Sequence, residues 1–156
     1  MTTGRHLIIA IVLAASLTLG QMAQAADSTE IKGAWRPEEY RLREGIVKKV
    51  TGLIFFSEKD WSVLFFIVTD DGPQQASAEG GTYQLEGNRL VFKHLYNFSG
   101  GKEVAGKKDT GQTMVARNPS VSEIPSEACT IELKDDLLTI HFPSGNLMTF
   151  RRSSGF

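Results

Sequence analysis

Cysteine is nearly absent: the 156 residues hold one, Cys129. A lone thiol forms no internal disulfide and builds neither a Cys-rich zinc centre nor an iron–sulfur cluster. Histidine is scarce too, at His6, His94 and His141. A metal site needs three or four convergent ligands, so neither a metal nor a cofactor is expected. No charge of one sign dominates, since 17 Lys and Arg stand against 18 Asp and Glu. Nucleic-acid binders carry a basic surplus, and that class is set aside. A G-x-S-x-G nucleophile elbow is missing, and with it that form of Ser–His–acid catalysis. No stretch shows sustained helical periodicity behind a cap, so one short helix at most is expected. What remains is ordinary for a globular domain, 41% hydrophobic and 22% charged residues.

The one long apolar run lies at the start. Arg5 and His6 precede Leu7 to Leu19, interrupted only by Ser16 and Thr18, and Gln21-Met22-Ala23-Gln24-Ala25 follows. A basic start, a core of about a dozen apolar residues and an A-x-A site describe a secretory signal peptide. The run is shorter than the roughly 20 residues that span a bilayer. Residues 1–25 are therefore expected to be cleaved after Ala25, leaving residues 26–156 as one domain with no membrane insertion. The A-Q-A site and the absence of disulfides suggest a bacterial periplasm as the destination. Losing Arg5 leaves 16 basic against 18 acidic residues, a net charge of −2.

After a polar leader from Ala26 to Glu30, short apolar runs are broken by turn residues every eight to twelve positions. That spacing predicts an all-β domain. Strands are expected over Gly33–Arg43, with an edge or bulge at Pro37, then Val47–Ser57 and Trp61–Thr69. Gln74 to Glu79 reads as a polar connection. Gly81–Glu86 and Arg89–Phe98 flank Gly87-Asn88 as the clearest hairpin. Residues 99–112, rich in Gly and Lys, read as a mobile loop or flap. Thr113–Arg117 is a further candidate, and Cys129–Lys134, Leu137–Phe142 and Leu147–Arg152 form a closing meander. Eight or nine strands in sequential order favour a single antiparallel up-and-down β-barrel of about eight strands, because closure removes exposed edges.

Alternation assigns faces. Leu90, Phe92, His94, Tyr96 and Phe98 share one side of their strand, an aromatic stripe with an imidazole in its middle. Phe92, His94, Tyr96 and Phe98 are thus the candidate cavity lining, since ligand pockets combine apolar walls with few polar groups. His94 could orient a ligand or ligate haem; the plainer reading is a core histidine bonded to a neighbour. Cys129, with Ile131 and Leu133, is expected inward as a small apolar residue. His141 falls on the outer side of its strand. Glu38 and Glu39 face opposite sides and make no carboxylate pair. Leu53–Phe56 and Val63–Val68 are apolar on both faces, so the outer residues need cover from a loop, a helix or a second copy, which makes a homodimer one solution.

Gly33-Ala34-Trp35, then Tyr40-Arg41-Leu42, resembles the G-x-W opening of the calycin superfamily, in particular small bacterial lipocalin-like domains. Gly80 to Leu90 is similar to their central hairpin, and Leu147 to Arg152 to their last strand, which ends in a basic residue. The resemblance implies that Gly33 and Trp35 plug one end of the barrel while Arg151 or Arg152 packs over the indole, a cation–π contact. Together with the export signal, the meander and the aromatic stripe, it leads to the expectation of a periplasmic lipocalin-like barrel that binds a small hydrophobic or amphipathic molecule. The alternatives are a protein-interaction or inhibitory barrel with a filled core, and a small enzyme using His94; no spacing of residues argues for catalysis. Eight-stranded barrels are either filled by side chains or hold one small ligand, and alternation leaves that choice open.

Overall fold

The structure, a computed structural model, describes residues 30–101, 111–118, 120 and 123–155. The expected signal peptide, residues 1–25, and residues 102–110 of the expected loop lie outside them. Ten strands run along the described chain: β1 Gly33–Arg41, β2 Val47–Lys48, β3 Val50–Phe56, β4 Asp60–Thr69, β5 Gly72–Glu86, β6 Arg89–Gly101, β7 Thr113–Ala116, β8 Ser126–Lys134, β9 Leu137–His141 and β10 Leu147–Arg152. No helix is present among the described residues. Eight strands close an antiparallel ring in the order β1-β3-β4-β5-β6-β8-β9-β10, and β10 pairs back onto β1 from Trp35↔Arg152 to Arg41↔Leu147. The short β2 and β7 add to β1 and to the far half of β6. The fold is therefore all-β and a closed eight-stranded barrel.

Local chemistry sets the turns. Gly87, with φ 61°, supplies the positive φ that a two-residue hairpin with Gly first demands. Asp135, with φ 52°, does the same between β8 and β9, a conformation Asp tolerates better than most residues. Pro37 cannot donate to a ladder, and the pairing with β10 shifts register between Pro37 and Glu39.

Two expectations are corrected. Gln74 to Glu79 is no connection: it belongs to the 15-residue β5. Its alternation is present but inverted in polarity, with Ser77 and Glu79 inward and small Ala76 and Ala78 between them. Strand β6 also continues through Ser99 to Gly101, so the first three residues of the expected loop are strand.

A second irregularity decides which side chains share a face. Gly81 pairs with His94 but Gly80 pairs with Tyr96, so Leu95 is an extra residue on β6. A β-carbon on Gly81 would lie 1.9 Å from the Lys93 carbonyl oxygen; only glycine permits this approach. Beyond such a bulge the parity of the strand reverses. Phe92 and His94 point inward as expected, but Tyr96 and Phe98 turn to the outer face, 52% and 46% exposed. Their inward assignment is corrected: unbroken alternation holds only up to His94.

The packed core occupies one half of the barrel, around Trp35, Phe56, Trp61, Leu90, Leu138 and Phe150. Cys129 lies within it, and burial pushes its thiol up to about 12. His141 lies half-exposed against Glu132, at 3.0 Å. At the end of this half Trp35 is fully buried, and its indole N–H donates to the Ile31 carbonyl at 2.7 Å. The Arg152 guanidinium lies 4.2 Å from the indole centroid and donates to the carbonyls of Lys32 (3.0 Å) and Glu30 (2.6 Å). Arg152, not Arg151, is thus the residue over the plug; Arg151 turns outward to Glu38. Gly33 lies beside the Arg152 guanidinium with φ 116°, a conformation that side-chain-bearing residues rarely adopt.

Arg152→Ala removes a cation–π contact worth about 0.5–2 kcal/mol and two charge-assisted hydrogen bonds, so a loss of about 2–3 kcal/mol in urea unfolding is expected. Arg151→Ala, which breaks an exposed ion pair, should cost less than about 1 kcal/mol. Equal losses would show that Arg152 does not secure the plug.

Candidate functional site

Above the packed half the barrel is hollow. A cavity of about 190 Å³ is walled by Tyr40, Trp61, Phe65, Phe92, Ile140 and Met148, among others. A larger space of about 470 Å³ continues toward the far end, sharing Tyr40, Phe65 and Glu79 as wall and edged by Lys48, Gln75, Ser77, Asn97 and Ser99. The interior is therefore filled at one end and open at the other. A closed eight-stranded ring plugged by Trp35 beneath Arg152 is what the G-x-W opening implied; the hollow above it is a choice the sequence left open. The fold is that of a lipocalin-like barrel.

No protein-family model matches the chain, and no curated protein matches it in sequence. Among solved structures it is similar to a lipocalin-like protein from Bacteroides uniformis ATCC 8492, with 16% sequence identity over 80% of this chain and 99% of that one, at a TM-score of 0.48.

Three ionisable side chains converge in the cavity of this lipocalin-like barrel. His94 comes from β6 just before the bulge, Glu79 from β5, and Glu127 from the start of β8. His94 Nδ1 lies 3.0 Å from Glu79 Oε2, and the Ser77 hydroxyl donates to the other oxygen of Glu79 at 2.8 Å. These two bonds, His94 foremost, hold Glu79 below the usual carboxylate range although burial pushes the other way. An ionised carboxylate only accepts, so Nδ1 carries the shared proton. The opposite nitrogen, Nε2, faces Glu127 at 3.7 Å, too long for a hydrogen bond. Burial, more than any neighbour, raises the Glu127 carboxyl, and Glu79 adds repulsion while His94 offsets part of it. Trp61 meets the imidazole edge-on at 5.2 Å. Across the cavity the Asn146 amide donates to the Tyr40 hydroxyl at 2.9 Å, and burial raises that phenol.

Of the residues expected to line a site, the structure brings together Phe92 and His94 and places Tyr96 and Phe98 elsewhere. Those two join Phe55, Leu64 and Met114 in an exposed apolar cleft of about 780 Å³ on the outer wall, floored by Ala78, Gly80 and Ala116. Glu79 and Glu127 were missed by sequence reasoning. A signal existed for Glu127, which stands two residues before Cys129 and so shares its face. The bulge had one as well. Counting back from Gly87-Asn88 sets Gly81 opposite His94, and paired glycines within a strand often mark a bulge.

Glu127→Gln replaces a carboxylate with a neutral isostere. Because the folded state raises the carboxyl, Glu127 binds its proton more tightly folded than unfolded, and wild-type stability falls as pH rises through that range. The variant should therefore melt higher than wild type at about pH 7, with the gap closing as acid protonates Glu127. Melting curves of both proteins across that range test this; a variant that melts lower at pH 7 overturns it.

Proposed function

We propose that this barrel is exported and binds a small hydrophobic or amphipathic molecule in its interior. The observation that carries the reading is the 190 Å³ cavity, whose walls are mainly aromatic and aliphatic and whose polar side chains stand in two groups, Glu79, His94 and Glu127 on one side and Tyr40, Ser144 and Asn146 on the other. That combination is characteristic of small-molecule sites. Export is supported by Arg5, the apolar run from Leu7 to Leu19 and the Ala23-Gln24-Ala25 site, and the periplasm is the proposed compartment. Native mass spectrometry of protein gently purified from the periplasm is the test. A mass corresponding to cleavage after Ala25, with a discrete adduct released on denaturation, is expected. A bare mass, together with no saturable binding of a hydrophobic dye, would sink the binding reading.

A second reading is favoured by the outer cleft. Its large side chains are exposed, Met114 at 76%, and contiguous apolar surface of this kind marks interaction sites. A second copy is the proposed occupant, because one apolar patch placed on a two-fold axis covers itself. Light scattering behind size exclusion should then give a dimer for wild type and a monomer for Met114→Lys. A wild-type monomer at high micromolar concentration rejects self-association.

A further inference from the structure

The chemistry around His94 says more than that the cavity is apolar. Glu79 and Glu127 both line it, and no Lys or Arg does. With His94 protonated, two carboxylates and one imidazolium still leave a charge of −1; with it neutral the excess is larger. In this partly desolvated site the excess is relieved in one of two ways, by a proton on Glu127, whose carboxyl burial raises, or by a cation that joins the pair.

The two carboxylates are not equivalent. Both oxygens of Glu79 are engaged, by His94 and Ser77. Glu127 accepts no hydrogen bond among the described residues, and Nε2 of His94 lies at 3.7 Å, beyond bonding distance. It is a cavity-lining acceptor with no side-chain donor on it, its side chain 31% exposed and so within reach of an entering ligand. Aromatic rings line the same cavity: Trp61 lies 4.5 Å from Phe92, and Tyr40 meets Phe65 edge-on at 6.3 Å. Carboxylates backed by aromatic rings suit an organic ammonium, whose N–H groups take the oxygens while its charge polarises the rings. The lower cavity by itself is below the roughly 300–1,000 Å³ of drug-sized pockets, which suits a compact body beside the carboxylates.

Resting on the interior-binding reading, we propose that the ligand is a small organic cation, a primary or secondary amine with a compact apolar or aromatic body, held by Glu127 with Glu79 beside it. The ammonium donates to Glu127 and the body packs against Trp61, Phe65 and Phe92. Ser77 and His94 keep Glu79 ionised and fixed, so it contributes field without competing for the N–H groups. Lys48, the cation at the open end, lies outside this lower cavity.

Calorimetric titration of the purified protein with three matched probes decides the matter: 2-phenylethylamine, 2-phenylethanol and 3-phenylpropionate. The amine is expected to bind saturably and at least about tenfold more tightly than either analogue, a difference of about 1.4 kcal/mol. Glu127→Gln should remove most of that preference while leaving the alcohol unchanged, and circular dichroism would confirm that the variant is folded. Should it not fold, the wild-type ranking still decides. If the alcohol or the acid binds as well as the amine, the cation assignment falls and interior binding stands. If an adduct retained from the cell is an acid or a neutral lipid, the assignment falls in the same way. If none of the three binds and no adduct is retained, both readings fall together.

Discussion

Pairing of the first and last strands of the ring is the contact on which everything else in this molecule depends. Backbone N–H and C=O groups along β1 and β10 satisfy one another from Trp35↔Arg152 to Arg41↔Leu147, which removes the edges an open sheet would expose. Closure also creates an inside. Only after β10 returns to β1 can Arg152 lie across Trp35, because the two residues are direct partners in that pairing. The plug is thus a consequence of closure and also its lock. The bonds that fix Arg152 end on carbonyls of the segment leading into β1.

Closure imposes a cost that the barrel meets differently at its two ends. In the plugged half the inward positions are Trp, Phe, Leu, Ile and Met, and packing excludes water. In the open half, β5 and β6 turn Ser77, Glu79, Asn97 and Ser99 inward, and the interior stays polar and unfilled. Between them, at the level of the bulge, sits His94 with its two carboxylates. A buried carboxylate is tolerated when its oxygens are bonded, and Glu79 meets that condition through Ser77 and His94. Glu127 has no such bonds and keeps part of its contact with solvent, and burial is the first cause that raises its carboxyl. The asymmetry between two chemically identical side chains arises from what each strand places beside them.

Much of the barrel was legible because its strands follow period two closely. β10 matches its expected bounds residue for residue, and β1, β4, β8 and β9 differ from theirs by at most a few terminal residues. Where the reading failed, a specific physical feature had inverted the pattern. Gln74 to Glu79 looked like a connection because polarity was taken to mean solvent, whereas here it marks the inner wall of a hollow. Tyr96 and Phe98 looked like cavity lining because alternation was carried across Leu95. The candidate site was half legible: Phe92 and His94 were found, the two carboxylates that give the site its charge were not.

The sequence by itself determined the local and the periodic: all-β architecture, the Gly87-Asn88 hairpin, the irregularity at Pro37, the inward Cys129 and the outward His141. Each depends on residues adjacent along the chain or two positions apart. Tertiary structure alone decided which arginine covers Trp35, how far the barrel is filled, and that Glu79, His94 and Glu127 meet. Those outcomes depend on register between strands distant in sequence. One extra residue at Leu95, permitted by Gly81, where a β-carbon would stand 1.9 Å from the Lys93 carbonyl oxygen, reverses the faces of everything beyond it on β6. No single-strand pattern contains that information, because the close approach of Gly81 to the Lys93 carbonyl lies between two strands.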